Sequence, residues 1–118
     1  MFKFFIAFLI VFCCSILSSA EEYVTCYKYY SVIDGKTFNG SCQIGPKDID
    51  YKIYIMDMYI PEELQLQAAK FLNKELKKVD MFVGRNCEVI GTNLRCLDIL
   101  VHGESLKFKI KQAGLGRW

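Results

Sequence analysis

The sequence predicts one α+β domain, in which a single amphipathic helix packs on an antiparallel sheet between two disulfide-stapled β-hairpins. Three observations predict it. Residues 61–79 carry apolar side chains at helical spacing, the segments on either side are rich in strand-forming residues, and four cysteines fall in pairs about glycine-containing turns.

The chain begins outside that domain. It has 118 residues, is 53% hydrophobic and carries a formal net charge of +2. Residues 1–20 supply much of the apolar content: Lys3, an unbroken apolar run from Phe4 to Cys14, then Ser18-Ser19-Ala20. A basic start, a short apolar core and small residues at the end are the pattern of a secretory signal peptide. The apolar run falls short of the roughly 20 residues a membrane-spanning helix needs. Residues 1–20 are therefore expected to be a signal peptide, and residues 21–118 a single secreted domain. Removing residues 1–20 takes Lys3, Cys13 and Cys14 away, leaving 14 basic against 13 acidic residues and four cysteines. A near-neutral chain of that length excludes a nucleic-acid binder driven by bulk charge, and an even cysteine count in an oxidising compartment implies disulfides.

The first hairpin is centred on Ile33-Asp34-Gly35. A three-residue loop with Gly35 left-handed pairs residues whose numbers sum to 68, so Cys26 faces Cys42, Tyr30 faces Phe38 and Val24 faces Ile44. Asn39-Gly40 is a rival turn signal, but it leaves too few residues after Gly35 for a strand, so a bulge is expected there. Asp50 to Tyr59, rich in Ile, Tyr and Met, reads as the third strand.

Pro61 then opens the helix, with Glu62 and Glu63 in its first turn and Lys74, Lys77 and Lys78 near its end. Proline at the first helical position and this charge order both suit a helix. Leu64, Ala68, Phe71, Leu72, Leu76 and Val79 form its apolar stripe.

Met81 to Ile90 is expected to lead into the second hairpin. With Gly91-Thr92 as a two-residue type II′ loop, partners sum to 183. Cys87 then faces Cys96, Glu88 faces Arg95 and Arg85 faces Asp98, two opposite-charge pairs that favour this register. After a turn at Gly103-Glu104, the alternation Leu106-Lys-Phe-Lys-Ile-Lys111 predicts a sixth strand.

No catalytic constellation stands out. His102 is the single histidine, and neither Ser31, Ser41 nor Ser105 lies in a nucleophile-elbow context. Asp48 and Asp50 read as solvated loop carboxylates. With all four remaining cysteines paired, no metal site is expected, and no cofactor motif occurs. Enzymatic activity is not expected. Asn39-Gly40-Ser41 is a glycosylation acceptor. All seven tyrosines lie between Tyr23 and Tyr59, and more than one must face solvent. Lys107, Lys109, Lys111 and Arg117, interleaved with apolar residues up to Trp118, would suit an edge strand or contact with an anionic membrane surface.

The stretch from Gln67 to Asp80, continuing through Met81-Phe-Val-Gly-Arg-Asn-Cys87-Glu-Val-Ile-Gly91-Thr92, resembles the cystatin superfamily. The similarity covers roughly residues 61–110. That family runs from an amphipathic helix into a hairpin bearing Gln-x-Val-x-Gly. Val89 and Gly91 match that motif, and Cys87 stands where the glutamine would be. The resemblance implies a contact edge built from Gly45 and Pro46, from Val89, Ile90, Gly91 and Thr92, and from Trp118. Its partner would be the cleft of a papain-like cysteine protease.

The expected function is a secreted, non-enzymatic binding protein, read most sharply as a diverged cystatin-like protease inhibitor. The alternative is a secreted effector of the antimicrobial, venom or host-interaction kind, acting on membranes or receptors through the basic C-terminal segment.

Overall fold

The computed structural model describes residues 19–118. The signal peptide expected over residues 1–20 lies, apart from Ser19 and Ala20, outside the described residues. Six strands follow in chain order: β1 (Ser19–Asp34), β2 (Thr37–Ile44), β3 (Lys47–Ile55), β4 (Phe82–Ile90), β5 (Asn93–Val101) and the short β6 (Glu104–Ser105). Between β3 and β4 a 3-10 turn at Glu62–Leu64 leads into α1 (Gln65–Lys77), and α2 (Leu106–Gln112) follows β6. The fold is α+β with two disulfides.

The sheet closes on itself. Its order is β3-β2-β1-β4-β5-β6, and β3 also pairs with β5 in parallel, through Lys52↔Asn93 to Ile55↔Cys96. Strands β1 to β5 therefore form a five-stranded barrel in which every neighbour but the β3–β5 pair is antiparallel. α1 is inserted between the third and fourth strands of this barrel. The expected antiparallel sheet is thus closed into a barrel, and one of its pairs is parallel. Twisted strands that curl far enough pair their outer edges, which removes the unpaired hydrogen-bonding groups of an open sheet.

The barrel interior is filled by Val24, Phe38, Ile53, Leu94 and Ile99, with both disulfides buried among them. From α1, Ala68, Leu72 and Leu76 are buried, the inner half of the expected stripe. Phe38 meets Phe82 edge-on at 5.5 Å between ring centres. Tyr29 ties β1 to the helix by donating its hydroxyl hydrogen to Asn73 Oδ1 at 2.5 Å.

The β4–β5 hairpin has the expected register throughout, from Ile90↔Asn93 to Val83↔Leu100, and Cys87 is bonded to Cys96. Gly91 has φ +60 while Thr92 is absent from the left-handed region, as a type II′ loop requires. The β1–β2 hairpin reaches the expected Cys26–Cys42 bond by a different route. Its loop is Gly35-Lys36, and partner sums fall from 71 at Asp34↔Thr37 to 68 at Cys26↔Cys42 through three irregularities in β1. One of them faces Asn39-Gly40, where a bulge was expected; Val32 rather than Tyr30 faces Phe38. Gly35 is not left-handed. Its lack of a side chain serves packing instead, because a Cβ there would lie 2.6 Å from Ala68 Cβ and from Ile60 Cδ1.

The largest correction concerns the C-terminal segment. Residues 106–112 form α2 where alternation predicted a strand. Ser105 caps it by accepting from Phe108 N at 3.0 Å. Its end is a Schellman turn: Leu115 N donates to Ile110 O, Gly114 N donates to Lys111 O, and Gly114 has φ +73. Leu106 and Ile110, one turn apart, are buried, and Phe108 points outward. Beyond α2 the chain is held by two backbone hydrogen bonds: Tyr59 N donates to Arg117 O at 2.7 Å, and Arg117 N donates to Tyr59 O at 2.9 Å.

Candidate functional site

A cleft of about 960 Å³ lies between the β4–β5 ladder, α2 and the C-terminal tail. Its construction begins at Asn86. In a regular strand, side chains two apart share a face, so Arg85 would join Cys87 inside the barrel. Asn86 instead adopts φ +50, and the face shifts by one residue. The evidence is Gly84, whose Cβ would point at the disulfide, 2.5 Å from Cys87 Sγ and 2.6 Å from Cys96 Sγ. Gly84 is therefore on the inner face. Arg85 is directed outward, into the cleft.

Asp98, the register partner of Arg85, is 5% exposed and also lines the cleft. Its carboxylate accepts three hydrogen bonds from nearby groups of the same chain. Oδ1 accepts from Ile99 N at 2.7 Å and Lys107 N at 3.2 Å, and Oδ2 accepts from Ser105 Oγ at 2.5 Å. The sequence-based Arg85–Asp98 charge pair thus exists as a register. Among the described residues the ion pairs within 4.0 Å are Lys78–Glu75, Lys109–Glu75 and Lys109–Glu104. Arg85 Nε is buried and has no hydrogen-bond partner among the described residues.

Lys107 is 7% exposed and donates from Nζ to Leu97 O at 3.0 Å. Burial holds its pKa below the ordinary lysine value, against the opposing pull of Asp57 and Asp98; Arg85 adds to the depression. Trp118 shelters it: Lys107 Nζ lies 5.6 Å and Lys111 Nζ 4.5 Å from the indole centre. Tyr23, Phe108 and Trp118, each more than half exposed, form aromatic walls at the cleft.

The expected contact edge is distributed rather than gathered. Gly91 and Thr92 are exposed at the β4–β5 tip, with Val89 half-buried and Ile90 exposed behind them. Gly45 and Pro46 turn between β2 and β3, which run at the same end of the barrel. Lys52 stands beside Asn93, so the Gly45-Pro46 tip projects five residues further, about 16 Å. Trp118 lies the other way, over Lys107, whose amine reaches Leu97 four residues along β5 from Asn93, about 13 Å. The basic segment is also redistributed. Lys107 is buried, Lys109 is paired with Glu75 and Glu104, Lys111 sits on Trp118, and Arg117 lies 5.1 Å from the Tyr59 ring centre.

Asn39 is mid-strand in β2, and its amide donates to Ser31 Oγ at 3.1 Å. His102 is exposed at the turn after β5, with φ +54. Ser105 directs its hydroxyl hydrogen at Asp98. Among the described residues no group of three or more His, Cys, Asp or Glu side chains could hold a metal ion, and no helix is long and apolar enough to cross a membrane.

Sequence reasoning named Trp118 and Lys107 but assigned them to other surfaces, and it did not identify the cleft. Ser105 three residues before Phe108, with Gly114-Leu115 after the segment, was the signal for a capped helix there. No family model matches the chain, and no curated protein matches it in sequence.

Proposed function

We propose that this is a secreted, non-enzymatic binding protein whose ligand occupies the cleft beside Trp118. One observation carries the reading: three half-exposed aromatic rings line the same cleft as Arg85, whose buried Nε has no hydrogen-bond partner among the described residues. Exposed rings and an unmet donor converging on one concavity are what a ligand site supplies and a packed core does not. Two buried disulfides in a domain of this size are consistent with an extracellular protein. The non-enzymatic reading draws support from Asp98 and Ser105, which face each other and cap α2 instead of meeting His102.

The test is binding of the oxidised protein to arrayed extracellular proteins and glycans, alongside Trp118→Ala. Loss of specific binding in the variant supports the reading; undiminished binding moves the site elsewhere.

A second reading retains the cystatin-like inhibitor. It rests on the tip Ile90-Gly91-Thr92, which is exposed and stands three residues beyond the Cys87–Cys96 bond. A tip restrained this way loses little entropy on entering a cleft. It would act without Trp118, which lies toward the other end of β5. Titration against papain-like proteases decides it: no inhibition at micromolar protein would remove this reading and leave the cleft untouched.

A further inference from the structure

We infer that the cleft beside Trp118 takes an anionic sugar residue, carboxylated or sulfated, within a longer glycan. The inference rests on the cleft being the binding site and names what it would bind.

The charge arrangement sets the sign. Asp98 has its carboxylate oxygens occupied by Ile99 N, Lys107 N and Ser105 Oγ, so it acts as a structural clamp. The cations are less fully used. Arg85 Nε has no hydrogen-bond partner among the described residues, and Lys107 has given one of its three ammonium hydrogens to Leu97 O. Both line the same space, and their mutual repulsion contributes to the lowered pKa of Lys107. An oxyanion placed between them would accept from both and relieve that repulsion. Arginine's planar fork suits carboxylate and sulfate oxygens in particular.

The walls set the rest of the ligand. Tyr23, Phe108 and Trp118 offer apolar ring faces at more than half exposure, on which the C–H face of a pyranose can lie. Asp57, exposed at φ +56 beside the same cleft, supplies a carboxylate able to accept from sugar hydroxyls. A simple anion would need the cations and leave the rings and Asp57 unused. A neutral sugar would leave Arg85 Nε unmet. The rings at its walls are exposed to solvent, which suits a residue within a chain whose neighbours continue on either side.

Trp118 is the single tryptophan of the chain, so its fluorescence reports the cleft directly. The full chain, produced through an oxidising secretory route, is titrated with heparin-derived and polyuronate oligosaccharides, neutral dextran oligomers, inorganic sulfate and inorganic phosphate. Calorimetry provides a second readout. The expected result is a saturable fluorescence change with one or both acidic oligosaccharides, at least tenfold weaker binding of dextran and of the inorganic anions, and a tenfold or greater loss in Arg85→Gln. The heparin and polyuronate arms separate sulfate from carboxylate recognition. Lys111→Gln, at an exposed position, provides a smaller loss should Arg85→Gln fold poorly.

Affinity should also fall as pH rises through the free-state pKa of Lys107, because a bound anion favours its charged form. Dextran binding equal to the acidic oligosaccharides, with Arg85→Gln unaffected, would overturn the anionic class while keeping the cleft as a site. Inorganic sulfate or phosphate matching the oligosaccharides would overturn the sugar component. Silence of Trp118 and calorimetry toward every glycan would overturn this inference, whereas the cleft as the binding site falls only if the array also shows no dependence on Trp118.

Discussion

Ser105 and Asp98 bind each other across the turn that leads out of the barrel: Ser105 Oγ donates to Asp98 Oδ2 at 2.5 Å while accepting from Phe108 N at 3.0 Å. One hydroxyl thus joins a buried strand carboxylate to the start of α2, and the position of Lys107 follows from that joint. Replacing Ser105 by Ala removes a helix cap and a hydrogen bond together. Loss of about 1–2 kcal/mol is expected. Asp98→Ala strands three donors in a buried place and should cost about 3 kcal/mol. Urea unfolding of the two variants checks the order; a larger loss in Ser105→Ala would contradict the role given to Asp98.

Gly35 and Gly91 are both turn glycines, needed for different reasons. Gly91 is left-handed with open space around it, so Gly91→Ala should cost about 1 kcal/mol in backbone strain. Gly35→Ala drives a methyl group to 2.6 Å from Ala68 Cβ, and an overpacking loss of about 1–3 kcal/mol is expected. Adding Ala68→Gly should recover part of that loss, whereas it should not rescue Gly91→Ala. Thermal melts of the two double variants make the comparison.

Gly84 is adjacent in space to both sulfurs of Cys87–Cys96. Gly84→Ala should destabilise the oxidised protein by about 2 kcal/mol or more. In a Cys87→Ala, Cys96→Ala background, which itself loses about 3 kcal/mol of cross-link stabilisation, the added cost should be smaller. Additive costs in the double-mutant cycle would show that the methyl group and the disulfide do not compete.

Lys107 gives the stability a pH dependence of definite sign. Burial lowers its folded pKa below the ordinary 10.5. At neutral pH the folded protein therefore carries a charge it holds less well than the unfolded chain does. That penalty is relieved as pH rises from the folded pKa toward 10.5, since the unfolded chain then binds more protons. Lys107→Met should thus be most favourable relative to the parent near pH 7, its advantage shrinking toward pH 10. Tyr29 and Tyr51, with pKa values raised by burial, act the opposite way above pH 10 and are common to both proteins. Urea midpoints measured at both pH values suffice, and a difference that widens with pH would refute the assignment.

The parts legible in the sequence were those fixed by a single nearby turn. One glycine loop and two opposite-charge pairs sufficed for the whole β4–β5 register. The Cys26–Cys42 pairing was legible although its turn was not, because three irregularities in β1 compensated the loop error. The barrel was not legible. Its closing contact joins Lys52–Ile55 to Asn93–Cys96, and nothing local to either strand marks the other as a partner. At 106–112 the seven-residue segment satisfied both periods: Leu106, Phe108 and Ile110 alternate, yet Leu106 and Ile110 also share a helical face. The caps at Ser105 and Gly114 decided between them. The cleft was hidden for a similar reason, since the left-handed Asn86 that turns Arg85 outward interrupts a strand with no sign of it in the pattern of apolar residues.

Barrel closure carries a kinetic consequence. The two disulfides join residues 16 and 9 positions apart, while the pairing that closes the barrel joins Ile55 to Cys96, 41 positions apart. Short loops close at lower entropic cost than long ones, so both hairpins can form before the ends of the sheet meet. Until they do, the β3 and β5 edges remain open to pairing with another molecule. The cross-links, being local to each hairpin, do nothing to shorten that interval. The time taken to join Ile55 to Cys96 therefore sets how long those edges are exposed to aggregation.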